Sequence, residues 1–142
     1  MLVYEVMTAM VLSVPPDEEY QKALHLMQCH KIHHLPVIDA NGRLCGIVAE
    51  RDLLVAAGRF MNTIAEVEMI MQRNVLTAHR SDSVADAARL MVRQRVGCLP
   101  VTDEADRVVG IVTQGDLLHA LLEILTHSSQ KVREREAGFE QI

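Results

Sequence analysis

The chain has 142 residues, 49% of them apolar, and a formal charge of −5 with two Phe, two Tyr and no Trp. That suffices for one compact core, so no separate catalytic domain is expected, and it offers a polymeric nucleic acid neither positive charge nor stacking platforms. No apolar run of membrane-spanning length and no basic-then-apolar leader occurs, and Cys29, Cys45 and Cys98 form no CxxC pair, so the expected setting is soluble and cytoplasmic with reduced thiols.

The elements come twice. Residues 6–57 align with 70–121 at a constant offset of 64, most closely where LPVIDANGRLCGIVAERDLL faces LPVTDEADRVVGIVTQGDLL. Such units stack to bury a shared face, and two of them suggest a closed pair. Each copy opens with a short extended segment, residues 11–14 and 75–78. Pro15-Pro16-Asp17 and Ser81-Asp82 follow as helix starts. Tyr20, Ala23, Leu24 and Met27, and then Val84, Ala87, Ala88 and Met91, fall at i, i+3, i+4 and i+7 and predict a helix with one core face in each copy.

A hairpin comes next, its two short apolar runs joined by Asp39-Ala40-Asn41-Gly42 in the first copy and a turn through Glu104-Ala105-Asp106 in the second. Beyond Val48 and Val112 the period turns helical again. The unit is therefore βαββα, and the fold class α/β. The last helix, from Leu117 to Leu125, is apolar around much of its circumference and predicts a homodimer built on it. The division expected is 1–62 and 63–125 for the repeats. Residues 126–142 form a polar tail, either a helix extension or disordered.

At the junction of strand and second helix the copies read Gly46-Ile47-Val48-Ala49-Glu50-Arg51-Asp52 and Gly110-Ile111-Val112-Thr113-Gln114-Gly115-Asp116. This G-[IV]-[VI]-[ST]-x-x-D signature, preceded by an apolar-Pro-Val-apolar-Asp run and repeated after about sixty residues, resembles the cystathionine β-synthase (CBS) domain. Two in tandem resemble a Bateman module, and the likeness covers residues 6–121. It implies two repeats packed as a pseudo-two-fold pair, commonly dimeric, that bind an adenosine-containing ligand such as AMP, ADP, ATP or S-adenosylmethionine in clefts between them. Each cleft would join the junction of one repeat to the opening segment of the other. Thr113 and Asp116 would be completed by residues 7–12 with His33, His34 and Leu35. Asp52 and Arg51 would be completed by residues 71–77, Thr77 included, with Gly97, Cys98 and Leu99.

The chemistry is consistent with that use. A helix start offers free amides to a phosphate, a carboxylate one turn in accepts from ribose hydroxyls, and Arg51 is a charged donor. Lys31, Arg73, Arg80, Arg93 and Arg95 lie near enough in sequence to make a local positive pocket on an acidic protein. The same residues also read as pure structure: Thr113-x-x-Asp116 has the form of a capping box, which needs no ligand. The first copy departs here, with Ala49 in place of Thr and Arg51 in place of Gly115, so the clefts are not equivalent.

A metal-responsive protein is the rival suggested by Cys29, His30, His33 and His34, whose i, i+4 pairs would bind zinc on a continuous helix. A protein-binding scaffold without nucleotide is another. No nucleophile-base-acid order or Gly-rich phosphate loop emerges, so the expectation is a regulatory module that is not an enzyme and requires no cofactor, acting on an unknown regulated protein.

Overall fold

In the computed structural model, residues 1–9, 11–59 and 63–140 are described. The expected boundary at residue 62 falls outside them. Helix α1 (Val3–Val6), strand β1 (Thr8–Ala9), helix α2 (Tyr20–His30), the hairpin β2 (His34–Ile38) and β3 (Leu44–Ala49), and helix α3 (Glu50–Arg59) make the first half. A short 3-10 turn (Val67–Met69), β4 (Ala78–His79), α4 (Val84–Gln94), β5 (Cys98–Thr102), β6 (Val108–Thr113) and α5 (Gln114–Glu140) make the second.

The two sheets have the same plan. In the second, the order is β1-β6-β5-β4, with β4 parallel to β5 and the other pairs antiparallel. In the first, β2 and β3 are flanked by single-residue bridges, Val14 parallel to Val37 and Gln72 antiparallel to Ile47. Hairpin turns are set by Asp39 and Asp103, whose Oδ1 atoms each accept two backbone N–H groups at 2.9–3.0 Å. The positive φ that the turn requires falls at Gly42 in one copy and Asp106 in the other.

The sheet edges reveal an exchange that the repeat pattern does not announce. β1 belongs to the first half of the chain but pairs with β6 of the second, while Gln72 of the second half pairs with Ile47 of the first. The cores follow suit. Val3 is fully buried with Leu99, Val101 and Val112, whereas Ala65, Val67 and Met71 are buried with Leu35, Val37 and Val48. Residues 1–9 and 65–72 therefore complete the other repeat, while Val14 and Ala78 pair within their own.

The exchange also starts the first helices. Tyr20 N–H donates to the Ala65 carbonyl at 3.0 Å and Val84 N–H to that of Met1 at 3.0 Å, so an orphan amide of each helix finds its acceptor on the crossing segment. This corrects the expected starts. Residues 17 and 81 precede the helices by three positions. α2 has Glu19 at its N-cap with no side-chain bond, and α4 is capped by Ser83, whose Oγ accepts from Asp86 N–H at 3.0 Å. The stripes hold their predicted faces, with Tyr20, Ala23, Met27, Ala87 and Met91 buried. The polar tail continues α5 as helix to Glu140. No helix among the described residues is long and apolar enough to cross a membrane.

Candidate functional site

Two clefts lie where the halves meet, related by the internal repeat. One, of about 590 Å³, is lined by Thr113, Gln114 and Gly115 from the β6–α5 junction, by Thr8, Val11 and Leu12 from the crossing segment, and by the 31–34 turn. The other, of about 470 Å³, is lined by Ala49, Arg51 and Asp52 from the β3–α3 junction, by Gln72, Asn74, Val75 and Leu76, and by residues 95–98. His34 and Gly97 face both. The repeat pairs His34 with Cys98 and His33 with Gly97, so these positions mark the seam between the halves.

Close approach of the crossing segments forces the glycines at the junctions. A Cβ on Gly46 would stand 2.6 Å from the Gln72 carbonyl oxygen, and one on Gly110 would stand 2.9 Å from that of Thr8. Backbone oxygens cannot swing aside, so only glycine fits at either site.

In the Thr113 cleft the capping box is formed. Asp116 N–H donates to Thr113 Oγ1 at 3.2 Å and Thr113 N–H donates to Asp116 Oδ2 at 2.9 Å. The second carboxylate oxygen accepts from Thr8 Oγ1 at 3.5 Å, tying the crossing segment to the helix start. Asp116 stands behind the residues that line the cleft. In the Arg51 cleft Ala49 offers no hydroxyl, and Asp52 makes no side-chain hydrogen bond among the described residues. Losing the cap leaves Asp52 free on the cleft wall.

Of the remaining site expectations, His33, His34, Gly97 and Cys98 all border a cleft. The side chains of Leu35 and Leu99 do not: each is fully buried in its own repeat's core, where strand alternation turns it away from the cleft. Thr77 lines a separate cavity with Arg43, Arg73 and Thr102. Met10, within the 7–12 segment, lies outside the described residues. Of the six cations, Lys31, Arg51 and Arg95 face the clefts, whereas Arg73 pairs with Glu68 at 3.7 Å and Arg80 stands 5.9 Å over the Tyr4 ring.

The histidines divide between different partners. His33 Nδ1 donates to Glu50 Oε2 at 2.8 Å, joining the turn before β2 to the start of α3. Cys29 Sγ lies 3.3 Å from His25 Nε2 on exposed α2. α2 ends at His30, so Cys29 and His33 do not share a helix face, and no three His, Cys, Asp or Glu side chains among the described residues converge as a metal site. Burial holds His34 below its ordinary value of 6.5, with His33 adding to the shift and Asp52 opposing it. Burial also pushes the Cys98 thiol up to about 11, keeping it neutral in the cleft wall.

A pair of βαββα units that exchange their first residues and enclose two related clefts defines a tandem α/β repeat fold. The chain belongs to the CBS domain family, whose model matches residues 3–59 and 64–123. A CBS domain-containing protein of Dictyostelium discoideum is 34% identical over 135 residues, covering 87% of this chain and 93% of its own. A homoserine O-acetyltransferase of Methanocorpusculum labreanum is 37% identical over 125 residues, but the match spans 88% of this chain and 25% of that enzyme. Among solved structures, the CBS domain pair of protein MJ0100 in complex with 5′-methylthioadenosine and S-adenosylmethionine has a TM-score of 0.77 and 32% identity, covering 85% of this chain and 95% of that one. CBSX2, a CBS-pair protein of Arabidopsis thaliana, in complex with AMP has a TM-score of 0.77 and 31% identity, covering 87% and 97%.

Proposed function

We propose that this CBS pair is a regulatory module that senses an adenosine-containing metabolite, AMP, ADP, ATP or S-adenosylmethionine, in the clefts between its repeats, and that it performs no catalysis itself. The observation that carries the reading is the composition of each cleft. A helix start comes from one repeat, with Asp52 on the wall of one cleft and Asp116 behind Thr113 in the other, and a wall of backbone and apolar side chains comes from the partner repeat, which suits a ribose and a purine. The ligands of the two solved relatives support it. Binding bridges the halves, so it favours whichever arrangement of them the ligand fits better and passes that preference to a regulated protein.

Self-association belongs to the same reading. α4 and α5 flank an apolar groove of about 730 Å³, lined by Val84, Ala88, Val92, Leu117, Leu121 and Ile124 among others, and Val92 and Leu118 are 77% and 60% exposed beside it. A second copy would cover that surface. Within this scheme residues 1–62 and 63–125 act as the repeats, with 126–142 as an appendage to α5, and the protein works in the cytoplasm.

Calorimetry with AMP, ATP and S-adenosylmethionine tests the ligand reading. At least one binds with a Kd in the micromolar range, on the order of −8 kcal/mol. Asp52→Asn, which breaks no side-chain hydrogen bond among the described residues, weakens the Arg51 site. Absence of binding by all three compounds refutes the proposal.

A further inference from the structure

The first helices of the two repeats end in the same unusual way. Lys31 and Arg95 occupy equivalent positions 64 residues apart, and both are left-handed, with φ of 53° and 54°. Each donates its N–H back to the helix, to Met27 and Met91 respectively, and the next residue, Ile32 or Val96, turns into the core edge. Glycine or asparagine fills such a cap at least strain, because a Cβ crowds the backbone there. Both copies instead carry a long cation, and each cation faces the cleft whose helix start belongs to the other repeat.

The clefts differ in what surrounds that cation. Lys31 shares its cleft with the His33 turn, where Glu50 supplies a nearby negative charge, and with the already bonded Asp116 behind Thr113. Arg95 shares its cleft with a second guanidinium, Arg51, and neither enters an ion pair among the described residues. The Asp52 carboxylate beside them makes no side-chain hydrogen bond among the described residues and is free to accept from a sugar. Two unpaired guanidinium groups near a free carboxylate match a phosphate attached to a ribose.

We propose that the two clefts are sorted by ligand charge: the Arg51 cleft takes the phosphorylated adenosine ligand, with Arg95 as its specificity-determining residue, and the Thr113 cleft takes an adenosine derivative without phosphate. This rests on the adenosine reading above. It adds that left-handed Arg95 is retained at a cost in backbone strain because its side chain is needed at the cleft mouth.

The test compares AMP with 5′-methylthioadenosine, which lacks the phosphate, by calorimetry on the full chain and on Arg95→Gly, Arg95→Asn and Arg51→Gln. AMP affinity falls tenfold or more in all three variants, while methylthioadenosine affinity stays within twofold. The melting temperature of Arg95→Gly and Arg95→Asn is unchanged or higher than that of the parent, since both residues suit the cap. AMP binding in the parent weakens as salt rises. An Arg95→Gly protein that binds AMP as the parent does overturns the inference, as does equal loss of both ligands, or loss of AMP in Lys31→Gly instead. Those outcomes leave the adenosine reading intact. Failure of both compounds to bind the parent chain overturns this inference alone, and failure of ATP and S-adenosylmethionine as well removes that reading with it.

Discussion

At the residue scale the two copies are a controlled comparison, one junction with a threonine and one without. Thr113 Oγ1 accepts the Asp116 amide at 3.2 Å, and the corresponding acceptor is missing at Ala49. Thr113→Ala is therefore expected to cost about 0.5–2 kcal/mol in urea denaturation, and Ala49→Thr to stabilise by a similar or smaller amount while engaging Asp52. His34 makes a different prediction. Burial favours its neutral form, so below pH 6.5 the unfolded chain takes up a proton that folded His34 resists. Its contribution to stability is whole above 6.5, is lost as the pH falls from there, and levels off below the folded value. His34→Gln flattens the fall in denaturation free energy on the acid side of pH 6.5. The capping box was legible because Thr113-x-x-Asp116 is a local pattern with a local cause. The left-handed caps were not legible, since Lys31 and Arg95 are residues that helix-end preferences would never nominate.

At the element scale, hydrophobic spacing located α2, α4 and both hairpins, because a buried stripe or an alternating strand leaves its period in the sequence. Helix starts were displaced from Asp17 and Ser81 to Glu19 and Ser83; Ser83 is a local side-chain cap, but both starts also rest on contacts no local reading contains, the first amides of α2 and α4 being met by carbonyls of Ala65 and Met1. The strand edges follow the same logic. Gly110→Ala would drive a methyl against the Met7 sulfur at 2.6 Å and the Thr8 carbonyl oxygen at 2.9 Å. The expected loss is roughly 1–3 kcal/mol, with hydrogen exchange rising first in β1 and the adjoining part of β6. Gly58, whose Cβ would meet nothing within 4 Å, serves as the control, and Gly58→Ala in helix α3 is expected to stabilise by about 0.5–1 kcal/mol.

At the scale of the whole molecule, duplication was plain in the sequence and exchange was not. Val3 and Val67 are equivalent residues, yet each is buried in the core of the repeat to which it is not adjacent in the alignment. The sequence carries two equivalent segments and two equivalent surfaces, and its repeat pattern does not mark which segment goes where. Val3→Ala should accordingly cost about 1–3 kcal/mol and loosen the sheet around Leu99, Val101 and Val112 before the first repeat, as read by residue-resolved hydrogen exchange. The outer surface gives the remaining prediction. Leu121, 49% exposed beside the α4–α5 groove, is expected to sit in the proposed dimer contact, and Leu121→Asp yields a monomer by sedimentation whose affinity for AMP matches that of the parent.

Because each half holds the first residues of the other, the seam between them runs through the polypeptide twice. Residues 1–62 and 63–142, produced as separate chains, are complementary fragments: the second lacks edge strand β1, the first lacks the Gln72 bridge, and each lacks a helix-capping carbonyl that only its counterpart supplies. Neither is a domain that was linked to a neighbour, and co-production should return one interlocked particle from two chains. The smallest unit of this protein expected to fold is the pair.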